Sequence, residues 1–240
     1  MLGGILVSIL ALDVDGINKR YFSSGNRLSF YKEFRDLMPP ETVLFPKYIK
    51  KGLSVLDLGC GVGRTTFPIY KMSGKVIGTD ISEAMITLAK EMHHDIDFRV
   101  MDASHLDFPD STFDIVVFSY NGLCCLYPEN KRLRTLQEIN RVLKKNGVFI
   151  FSSANRFFPC APYSMVNLII TKLIMGFSTN YKIHLTRHGM FVIYETSSEE
   201  EIALLRGLNF ELLEMVPLSE KVSFWGYKPN TLTYYAFKKL

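Results

Sequence analysis

The sequence feature that most constrains the fold is a short apolar run that ends in closely spaced glycines. Residues 53–58 read LSVLDL and continue into Gly59, Gly61 and Gly63, which stand at alternate positions. Glycine lets the backbone turn tightly and lets a ligand approach without obstruction by a Cβ atom. A helix that starts after the turn offers free N–H groups. The pattern therefore predicts a buried strand, a ligand-binding turn and a helix, in that order.

Two common nucleotide motifs fit this turn poorly. A P-loop ends in Gly-Lys-Ser/Thr, whereas Gly63 is followed by Arg64 and Thr65. A dinucleotide-binding turn has the spacing G-x-G-x-x-G, whereas Gly63 comes one residue early. Asp57, two residues before the first glycine, would repel a pyrophosphate and suit an ammonium group. The turn favours a ligand with a free amino group; capping of the next helix by Asp57 is the alternative, and one glycine-rich turn is weak evidence.

Short apolar runs alternate with amphipathic stretches from residue 53 to about residue 152. The runs are rich in β-branched and aromatic residues, which is typical of strands buried on both faces of a parallel sheet. The predicted strands are 53–58, 76–79, 97–101, 113–119 and 147–152. Helices are predicted over 83–92, after the cap residue Ser82, and over 131–143, before Gly147. The alternation predicts a doubly wound α/β sheet with right-handed crossovers.

Two segments have no place in this sheet. Residues 154–190 hold an apolar helical stretch and no strand pattern, and we interpret them as an insertion after the fifth strand. Residues 1–40 are also rich in aromatic and apolar side chains. Because ligands bind at the carboxyl ends of the strands in open α/β folds, we expect both segments to lie over that edge as a mobile cover. The whole chain, 1–240, is predicted to be a single domain.

The strand and helix pattern resumes after the insertion with a predicted strand over 191–194. Thr196 and Glu199 form a predicted capping box for a helix over 197–206, which stops at Gly207. The last two predicted strands are 210–216 and 231–237.

Two further acidic residues follow predicted strands at the spacing of a nucleotide site. Asp80 ends the second strand, 23 residues after Asp57, where an acid can bind both hydroxyls of a ribose. Asp102 ends the third strand, 22 residues further, where its carboxylate could accept from an exocyclic amine and the N–H of Ala103 could donate to a ring nitrogen. Together these groups fit an adenosine joined to an amino acid. A helix cap at Asp80 and a simple turn at Asp102 are the alternative interpretations.

Five segments, taken in their order along the chain, resemble the class I S-adenosylmethionine-dependent methyltransferase family. They are LDLGCGVG at 56–63, IGTDIS at 77–82, MDA at 101–103, FDIV at 113–116 and LKKNG at 143–147. The resemblance covers about residues 40–153 well and the rest of the chain loosely. It implies a Rossmann-like seven-stranded sheet, mostly parallel with the last strand antiparallel, and helices on both faces. It also implies S-adenosyl-L-methionine as the cofactor and methyl transfer as the reaction.

The resemblance also implies which residues bind the cofactor. They are Asp57, Gly59, Cys60, Gly61, Gly63, Asp80, Ile81, Met85, Asp102, Ala103, Ser119 and Tyr120. Asp57 and the backbone of the glycine turn would hold the methionine part, and Asp80 would bind the ribose. Asp102 and Ala103 would contact the adenine edge, while Ile81 and Met85 would pack on the adenine face. The last two residues, just after the fourth strand, would face the sulfonium end.

Composition argues against several other function classes. The net charge of +4 does not by itself indicate nucleic acid, whose binding needs clustered basic residues. The four cysteines form no C-x-x-C pair and the histidines show no metal spacing, so no metal site is predicted. The cysteines are expected to be the reduced thiols of a cytoplasmic protein. The apolar stretch 2–12 is shorter than the roughly 20 residues of a membrane span, so no transmembrane segment is expected. The stripe of Met165, Leu168, Ile169 and Leu173 favours a packed helix over a membrane anchor.

The favoured function is methyl transfer to a small, partly apolar metabolite. After the fourth strand the chain reads Ser119-Tyr120-Asn121-Gly122, whereas nitrogen methylation of nucleic acids commonly uses an Asn/Asp-Pro-Pro-Tyr/Phe turn there. Tyr21 and Tyr120 are the predicted neighbours of the transferred methyl group. A methyltransferase acting on RNA or protein and a non-catalytic S-adenosylmethionine-binding module are the two alternatives.

Overall fold

A computed structural model describes the chain over residues 13–157, 165–176, 180–186, 189–218 and 231–240. These residues form a mixed sheet with helices on both faces, which confirms the predicted doubly wound α/β class. Residues 1–12 and the insertion residues 158–164, 177–179 and 187–188 lie outside the described residues, and so do the predictions made for them. In the described ranges, no helix is both long enough and apolar enough to cross a bilayer.

Strands β1 to β5 form the parallel part of the sheet in the order β3-β2-β1-β4-β5. Strand β9 lies antiparallel between β5 and β8, as expected for the last strand. The described strands are β1 (Val55–Leu58), β2 (Val76–Asp80), β3 (Asp97–Val100), β4 (Phe113–Phe118), β5 (Leu143–Asn155), β6 (Tyr181–Thr186), β7 (Gly189–Thr196), β8 (Phe210–Pro217) and β9 (Leu232–Lys239). These nine strands exceed the expected seven because β6 and β7 form an additional antiparallel hairpin.

The helices before and between the strands begin within the N-terminal segment. They are α1 (Val14–Phe22), α2 (Gly25–Glu33), α3 (Pro39–Tyr48), α4 (Thr66–Ser73), α5 (Glu83–Met92), α6 (Glu129–Val142), α7 (Met165–Met175) and α8 (Ser198–Gly207), with a short 3₁₀ turn at Leu123–Cys125. Helix α5 has the predicted bounds, because the Ser82 hydroxyl caps it by accepting from the Met85 N–H at 3.3 Å.

The capping box of α8 lies one residue later than predicted. Ser197 Oγ accepts from the Glu200 N–H, and Glu200 Oε2 accepts from the Ser197 N–H, both at 3.3 Å. Thr196 still belongs to β7, and its hydroxyl donates to the same Glu200 oxygen at 2.9 Å. The prediction of Thr196 with Glu199 was wrong because the strand continues to the residue before the cap.

The insertion contains a strand that sequence analysis missed. Strand β6 pairs with β7 along its whole length, from Tyr181↔Tyr194 to Thr186↔Gly189. The end of β7 then pairs with the carboxyl end of β5, where Ala154 lies beside Glu195. At Ala154, one edge of β5 pairs with β9. β7 therefore pairs with the opposite edge, the one that pairs with β4 earlier in β5. The hairpin therefore extends the sheet beyond the carboxyl end of β4.

The sheet divides the apolar core into two layers. Side chains alternate between the faces of a strand, so Val55 and Ile150 pack with α3, α4 and α5 on one face. Leu56 and Phe149 pack with α6 and α8 on the other face. Burial of both faces leaves the loops at the strand ends as the place where polar groups meet.

Candidate functional site

A cavity of about 200 Å³ lies at the carboxyl ends of β1, β2 and β4. The loops after β1 to β4 form one wall, and α1, α2 and the start of α6 contribute the remainder. Ten of the twelve predicted cofactor residues line this cavity: Gly59, Cys60, Gly61, Asp80, Ile81, Met85, Asp102, Ala103, Ser119 and Tyr120. Asp57 and Gly63 are not part of its lining. The structure thus brings most of the predicted set together, and their binding roles stay predictions.

The three glycines of the turn all have positive φ angles, but their surroundings differ. Gly59 has φ +60°, and a Cβ atom there would lie 2.7 Å from the ring of Phe118. Gly61 has φ +56° and faces open space, with no heavy atom within 4 Å of where a Cβ would stand. Gly63, with φ +91°, instead packs against His93 and Phe98. The turn is therefore an open cradle at Gly61 and a packing contact at Gly63.

Asp57 lies beneath the turn, where it is almost completely buried. Its Oδ2 accepts from the hydroxyls of Thr65 at 2.8 Å and Thr66 at 2.6 Å. Its Oδ1 makes no hydrogen bond within the described part of the chain. Burial raises the pKa of Asp57 to about 6, although the two hydroxyls and the Arg64 guanidinium act in the opposite direction. A buried carboxylate oxygen without a donor is a feature that a bound ammonium group would satisfy.

Asp80 connects the end of β2 to the glycine turn. Its Oδ2 accepts from the Gly61 N–H at 3.0 Å, and its Oδ1 accepts from the Ser82 N–H at 2.8 Å. Burial raises the pKa of Asp80, partly offset by these N–H donors and by the charge of Lys19. Both carboxylate oxygens keep further acceptor capacity toward the cavity. Asp80 therefore orders the turn and is also placed to accept from a ligand.

Asp102 is held by a turn and by an ion pair. Its Oδ1 accepts from the Ser104 N–H at 2.9 Å and from the Ser104 hydroxyl at 2.8 Å, and its Oδ2 lies 3.1 Å from Lys131 Nζ. Burial alone would raise the pKa of Asp102, but Ser104 and the Lys131 ammonium lower it below its usual value. The turn interpretation of Asp102 holds, and the residue also lines the cavity.

The apolar wall beside Asp80 consists of two side chains with different exposure. Ile81 is 40% exposed although it follows a central strand, whereas Met85 is buried at the start of α5. Both line the cavity together with Ala103. An exposed isoleucine between two polar strand ends is a surface suited to the face of a flat, partly apolar ring.

A buried ionic cluster lies directly after the glycine turn, around Arg64. Arg64 donates to both carboxylate oxygens of Glu41, at 2.6 Å and 2.7 Å, and Glu41 is fully buried. The hydroxyls of Ser119 and Tyr234 also donate to Glu41 Oε1. The Ser119 hydroxyl is thus directed to Glu41, and its role at the sulfonium end stays a prediction. The cluster joins α3, the glycine turn, the end of β4 and β9.

Tyr120 occupies a strained position at the end of β4. It has φ +54°, and the next residue, Asn121, has φ +65°. Non-glycine residues rarely adopt this conformation, and two in succession need surrounding contacts to hold them. The Asn121 N–H donates to Ser152 Oγ at 3.0 Å, and the Arg64 guanidinium lies 5.5 Å from the centre of the Tyr120 ring. The strained turn sets the Tyr120 ring into the cavity wall.

Sequence analysis predicted residues 1–40 as a cover but missed which residues of α1 line the cavity. Asp15, Asn18, Lys19 and Phe22 line the cavity and recur at the spacing of one helical face. Tyr21 lies on the neighbouring face, where it stacks on Phe191 with ring centres 4.7 Å apart. The structure therefore packs Tyr21 against the hairpin and places Phe22, with Tyr31 of α2, at the cavity. The helical period of residues 15–22 was the signal that identifies this face.

Asn18 fixes α1 to the hairpin. Its Nδ2 donates to the carbonyl oxygens of Val192 and Cys125, both at 2.9 Å, and its Oδ1 accepts from the Val192 N–H at 2.8 Å. On the same face of the helix, one turn earlier, Asp15 Oδ2 lies 2.6 Å from Lys131 Nζ. Strand β7, which begins at the end of the insertion, contacts α1, and no described residue of the insertion belongs to the cavity lining. The cavity is thus covered by α1, and the hairpin supports α1 from behind.

The donor set of the cavity fits S-adenosylmethionine better than a metal ion. Within the described ranges, no three His, Cys, Asp or Glu side chains are arranged to hold a metal. Within the lining, the open cradle at Gly61 suits a backbone-bound amino acid, and Asp80 and Asp102 suit an adenosine. Beneath the turn and outside the lining, the buried Oδ1 of Asp57 suits an ammonium. These groups match the ligand chemistry expected from the sequence.

Comparison with known proteins identifies the central part of the chain. A family model described as a methyltransferase domain matches residues 55–147. This part is a class I S-adenosylmethionine-dependent methyltransferase domain. The family predicted from the five motifs is therefore confirmed, and all four loops after β1 to β4 belong to the matched residues. Helix α1 and Tyr31, which complete the cavity of the methyltransferase domain, lie outside them.

Three known proteins illustrate the similarity. An uncharacterized methyltransferase of Schizosaccharomyces pombe is 33% identical over 155 residues, which are 58% of this chain and 54% of the relative. Demethylmenaquinone methyltransferase of Lactococcus lactis is 41% identical over 104 residues, which are 40% of each chain. The chain thus spans about half or less of the length of these curated relatives. The crystal structure of a SAM-dependent methyltransferase of Methanosarcina mazei shares the fold, with TM-score 0.71 and 21% identity, over 85% of this chain and 99% of that one.

Proposed function

We propose that this protein transfers the methyl group of S-adenosylmethionine to a small, partly apolar acceptor. One observation carries the proposal: a single cavity combines the glycine turn and two strand-end acids on one wall with aromatic side chains on the other. The first wall suits an adenosine joined to an amino acid. The second wall, with Phe22, Tyr31 and Tyr120, suits an apolar acceptor.

S-adenosylmethionine supplies a methyl group on a positively charged sulfur. The cradle at Gly61 would hold its amino-acid part, with Asp57 Oδ1 available to its ammonium. Asp80 would accept from the ribose hydroxyls while it keeps the Gly61 N–H in place. Ile81 and Met85 would contact the adenine face. Asp102 and the Ala103 N–H would contact the adenine edge. These residues bind and orient; none of them is required to form a covalent bond.

The acceptor end of the cavity is suited to alignment rather than to proton transfer. Burial raises the pKa of the Cys125 thiol far above its usual value, so it stays neutral. The described cavity lining contains no histidine. Transfer of a methyl group from a sulfonium needs an in-line approach and a dry site, which the aromatic wall provides. The name of the Lactococcus lactis relative, demethylmenaquinone methyltransferase, supports an acceptor with an apolar ring system.

The N-terminal segment and the insertion complete the proposal as the cover of the site. Helix α1 supplies one wall of the cavity, and the hairpin holds α1 through Asn18. Entry of the cofactor and the acceptor requires this wall to move, whereas transfer requires it to exclude water. We therefore assign α1 the direct covering role and the insertion a supporting one.

Two measurements test the proposed function. Calorimetry with S-adenosylmethionine and with NAD separates the two nucleotide ligands, and we expect binding of the first alone, because Asp57 would repel a pyrophosphate. Transfer is then measured with methyl-labelled S-adenosylmethionine and three acceptor pools: organic-soluble metabolites that include quinols, total RNA and total protein.

The expected result is label in the organic-soluble pool. Label in RNA or protein would establish the macromolecular alternative and overturn the small-acceptor proposal. Cofactor binding without transfer to any pool would favour a non-catalytic binding module. NAD binding without S-adenosylmethionine binding would overturn the cofactor as well.

A further inference from the structure

Lys131, at the start of α6, contacts both sides of the cavity. Its Nζ lies 2.6 Å from Asp15 Oδ2 on α1 and 3.1 Å from Asp102 Oδ2 in the loop after β3. All three residues line the cavity, and the Lys131 side chain is 16% exposed. The loops after β1 to β4 are here called the cofactor wall. One ammonium group therefore joins the helix that covers the cavity to the cofactor wall.

The position of Lys131 is unfavourable for a cation in two respects. It lies in the first turn of α6, where the helix dipole disfavours a positive charge. Burial, the largest influence on the pKa of Lys131, also acts against the charged form, but the hydrogen bonds and charges of Asp15 and Asp102 outweigh it and raise the pKa. The ammonium therefore stays charged, and the two carboxylates stabilise it at this position.

The two carboxylate oxygens of Asp102 have different partners. Oδ1 accepts from the N–H and from the hydroxyl of Ser104, which together occupy both of its lone pairs. Oδ2 contacts Lys131 Nζ and keeps one lone pair for a further donor. A donor on the edge of a bound adenine would therefore share Oδ2 with the ammonium that also contacts α1. The adenine end of the cofactor site and the cover thus have one residue in common.

We propose that Lys131 is a positioning residue of the cofactor site, which keeps α1 closed over a bound cofactor by sharing its ammonium between Asp15 and Asp102. The inference rests on the proposed function, because it takes S-adenosylmethionine as the cofactor. Both carboxylates contact the same nitrogen atom, so without it two like charges would lie close together, and their repulsion would favour release of α1. Lys131 therefore slows the departure of the cofactor and forms no bond to the reacting atoms.

A second contact between α1 and the cofactor wall carries no charge. Ser23 Oγ, directly after α1, lies 2.7 Å from Ser82 Oγ, which caps α5. Salt screens an ion pair but hardly affects a hydrogen bond between two hydroxyls. The salt dependence of cofactor release therefore reports on Lys131 when it is compared between the unchanged chain and a variant without the ion pair.

The test measures how fast S-adenosylmethionine leaves the full chain. The complex with labelled cofactor is mixed rapidly with an excess of unlabelled cofactor, and the loss of bound label is followed. Asp15→Asn keeps the size of the side chain, removes the negative charge on α1 and leaves the contact of Lys131 with Asp102 in place. Lys131→Met removes the ammonium from both contacts, and Lys131→Arg keeps a positive charge between the two carboxylates.

The matched control is Asp13→Asn, which makes the same change of charge on the same helix. Asp13 forms an exposed ion pair with Arg20 at 3.7 Å and is absent from the cavity lining. Its carboxylate caps α1 by accepting from the Gly16 N–H, and the amide that Asp13→Asn introduces caps a helix about as well. The control therefore reports the effect of one lost charge near the start of α1 without the contact to Lys131.

We expect release to be about fivefold faster in Asp15→Asn and about tenfold faster in Lys131→Met, because a charge-assisted contact of the cover is lost. Lys131→Arg should restore most of the slow release, and the control should stay within about twofold of the unchanged chain. Combining Asp15→Asn with Lys131→Met should be little faster than Lys131→Met alone, since both changes break the same contact. Added salt should accelerate release from the unchanged chain more than from Asp15→Asn.

Two outcomes overturn the role of Lys131. The first is release from Asp15→Asn at the rate of the control. The second is a combined variant in which the two effects multiply, since Lys131 would then act on Asp102 without involving α1. An unchanged chain that does not bind S-adenosylmethionine contradicts the proposed function instead. Amide hydrogen exchange of α1 without ligand then decides on the contact: faster exchange in Asp15→Asn than in Asp13→Asn supports the link between α1 and the cofactor wall, and equal exchange overturns it.

Discussion

The two walls of the cavity are built in different ways. The cofactor wall comes from loops that directly follow β1 to β4, so the sheet itself fixes the positions of Asp80 and Asp102. The covering wall comes from α1, which is attached to a strand 174 residues later in the chain by the hydrogen bonds of Asn18 and by the stacking of Tyr21 on Phe191. A wall fixed by the sheet is rigid, whereas a wall fixed by a few distant hydrogen bonds opens at a lower free-energy cost.

The largest expected effect comes from the buried ion pair that joins α3 to the cofactor wall. Glu41→Ala leaves the Arg64 guanidinium buried without its bidentate partner, and we expect the free energy of unfolding to fall by about 3–5 kcal/mol. Denaturant titration measures the change. Asp97→Asn, which removes an exposed partner of Arg99, is the control and should change stability by no more than about 1 kcal/mol. Equal effects of the two variants would show that the cofactor wall does not depend on this pair.

Asp80 tests the cofactor wall directly. Asp80→Ala removes the acceptor for the ribose and also the acceptor for the Gly61 N–H. Each charge-assisted hydrogen bond contributes about 1.5–3 kcal/mol, so the affinity for S-adenosylmethionine should fall at least about tenfold by calorimetry. Asp80→Asn keeps one oxygen acceptor, so its affinity for S-adenosylmethionine should fall less. Unchanged affinity in a folded Asp80→Ala variant would reduce Asp80 to a cap of the following turn.

Asn18 tests the covering wall. Asn18→Ala leaves the buried N–H and C=O of Val192 without partners, which costs about 1–3 kcal/mol. Amide hydrogen exchange should therefore become faster in α1 and unchanged in β1 and β4. Arg20→Ala, on the exposed side of the same helix, serves as the control and should leave the exchange of α1 unaltered. Faster exchange throughout the sheet would contradict a separate opening of the cover.

The smallest expected effect is the pH dependence of cofactor binding through Asp57. Its pKa rises from an unfolded value of about 3.9 to about 6 in the folded chain because the carboxyl group is buried. The folded state binds more protons between these values, so the contribution of Asp57 to the free energy of unfolding decreases as pH rises from about 4 to about 6. An ammonium ligand needs the ionised carboxylate, so affinity should increase as pH rises through the folded pKa of about 6.

We expect affinity for S-adenosylmethionine to be about tenfold lower at about pH 5 than at about pH 7. Calorimetry at the two values measures it, and Asp57→Asn should flatten much of the profile. Asp80, whose pKa is also raised by burial, would account for the remaining slope. A steep profile that survives in Asp57→Asn would assign the pH dependence to other groups.

The features that could be predicted from the sequence belong mostly to the cofactor wall, and those that could not belong mostly to the covering wall. The bounds of α5, the acid that ends β2 and the open glycine at position 61 depend on contacts within a few residues, so local patterns were sufficient for them. The cavity role of Phe22 and the packing of Tyr21 depend on which face of α1 meets the hairpin, which only the folded chain determines. Strand β6 was missed because its residues lie in the insertion, where the sequence shows no strand pattern, although its partner β7 was predicted over 191–194.

The amide of Asn18 pairs with the N–H and the C=O of one strand residue, just as a neighbouring strand would. Because Asn18 binds main-chain atoms, these hydrogen bonds do not depend on which side chain occupies position 192. Mutations across the outer surface of the hairpin can therefore accumulate without releasing the helix. In an evolving lineage, such a main-chain attachment would let the covering wall acquire new side chains and accept new methyl acceptors. The helix would keep its position over an unchanged cofactor site.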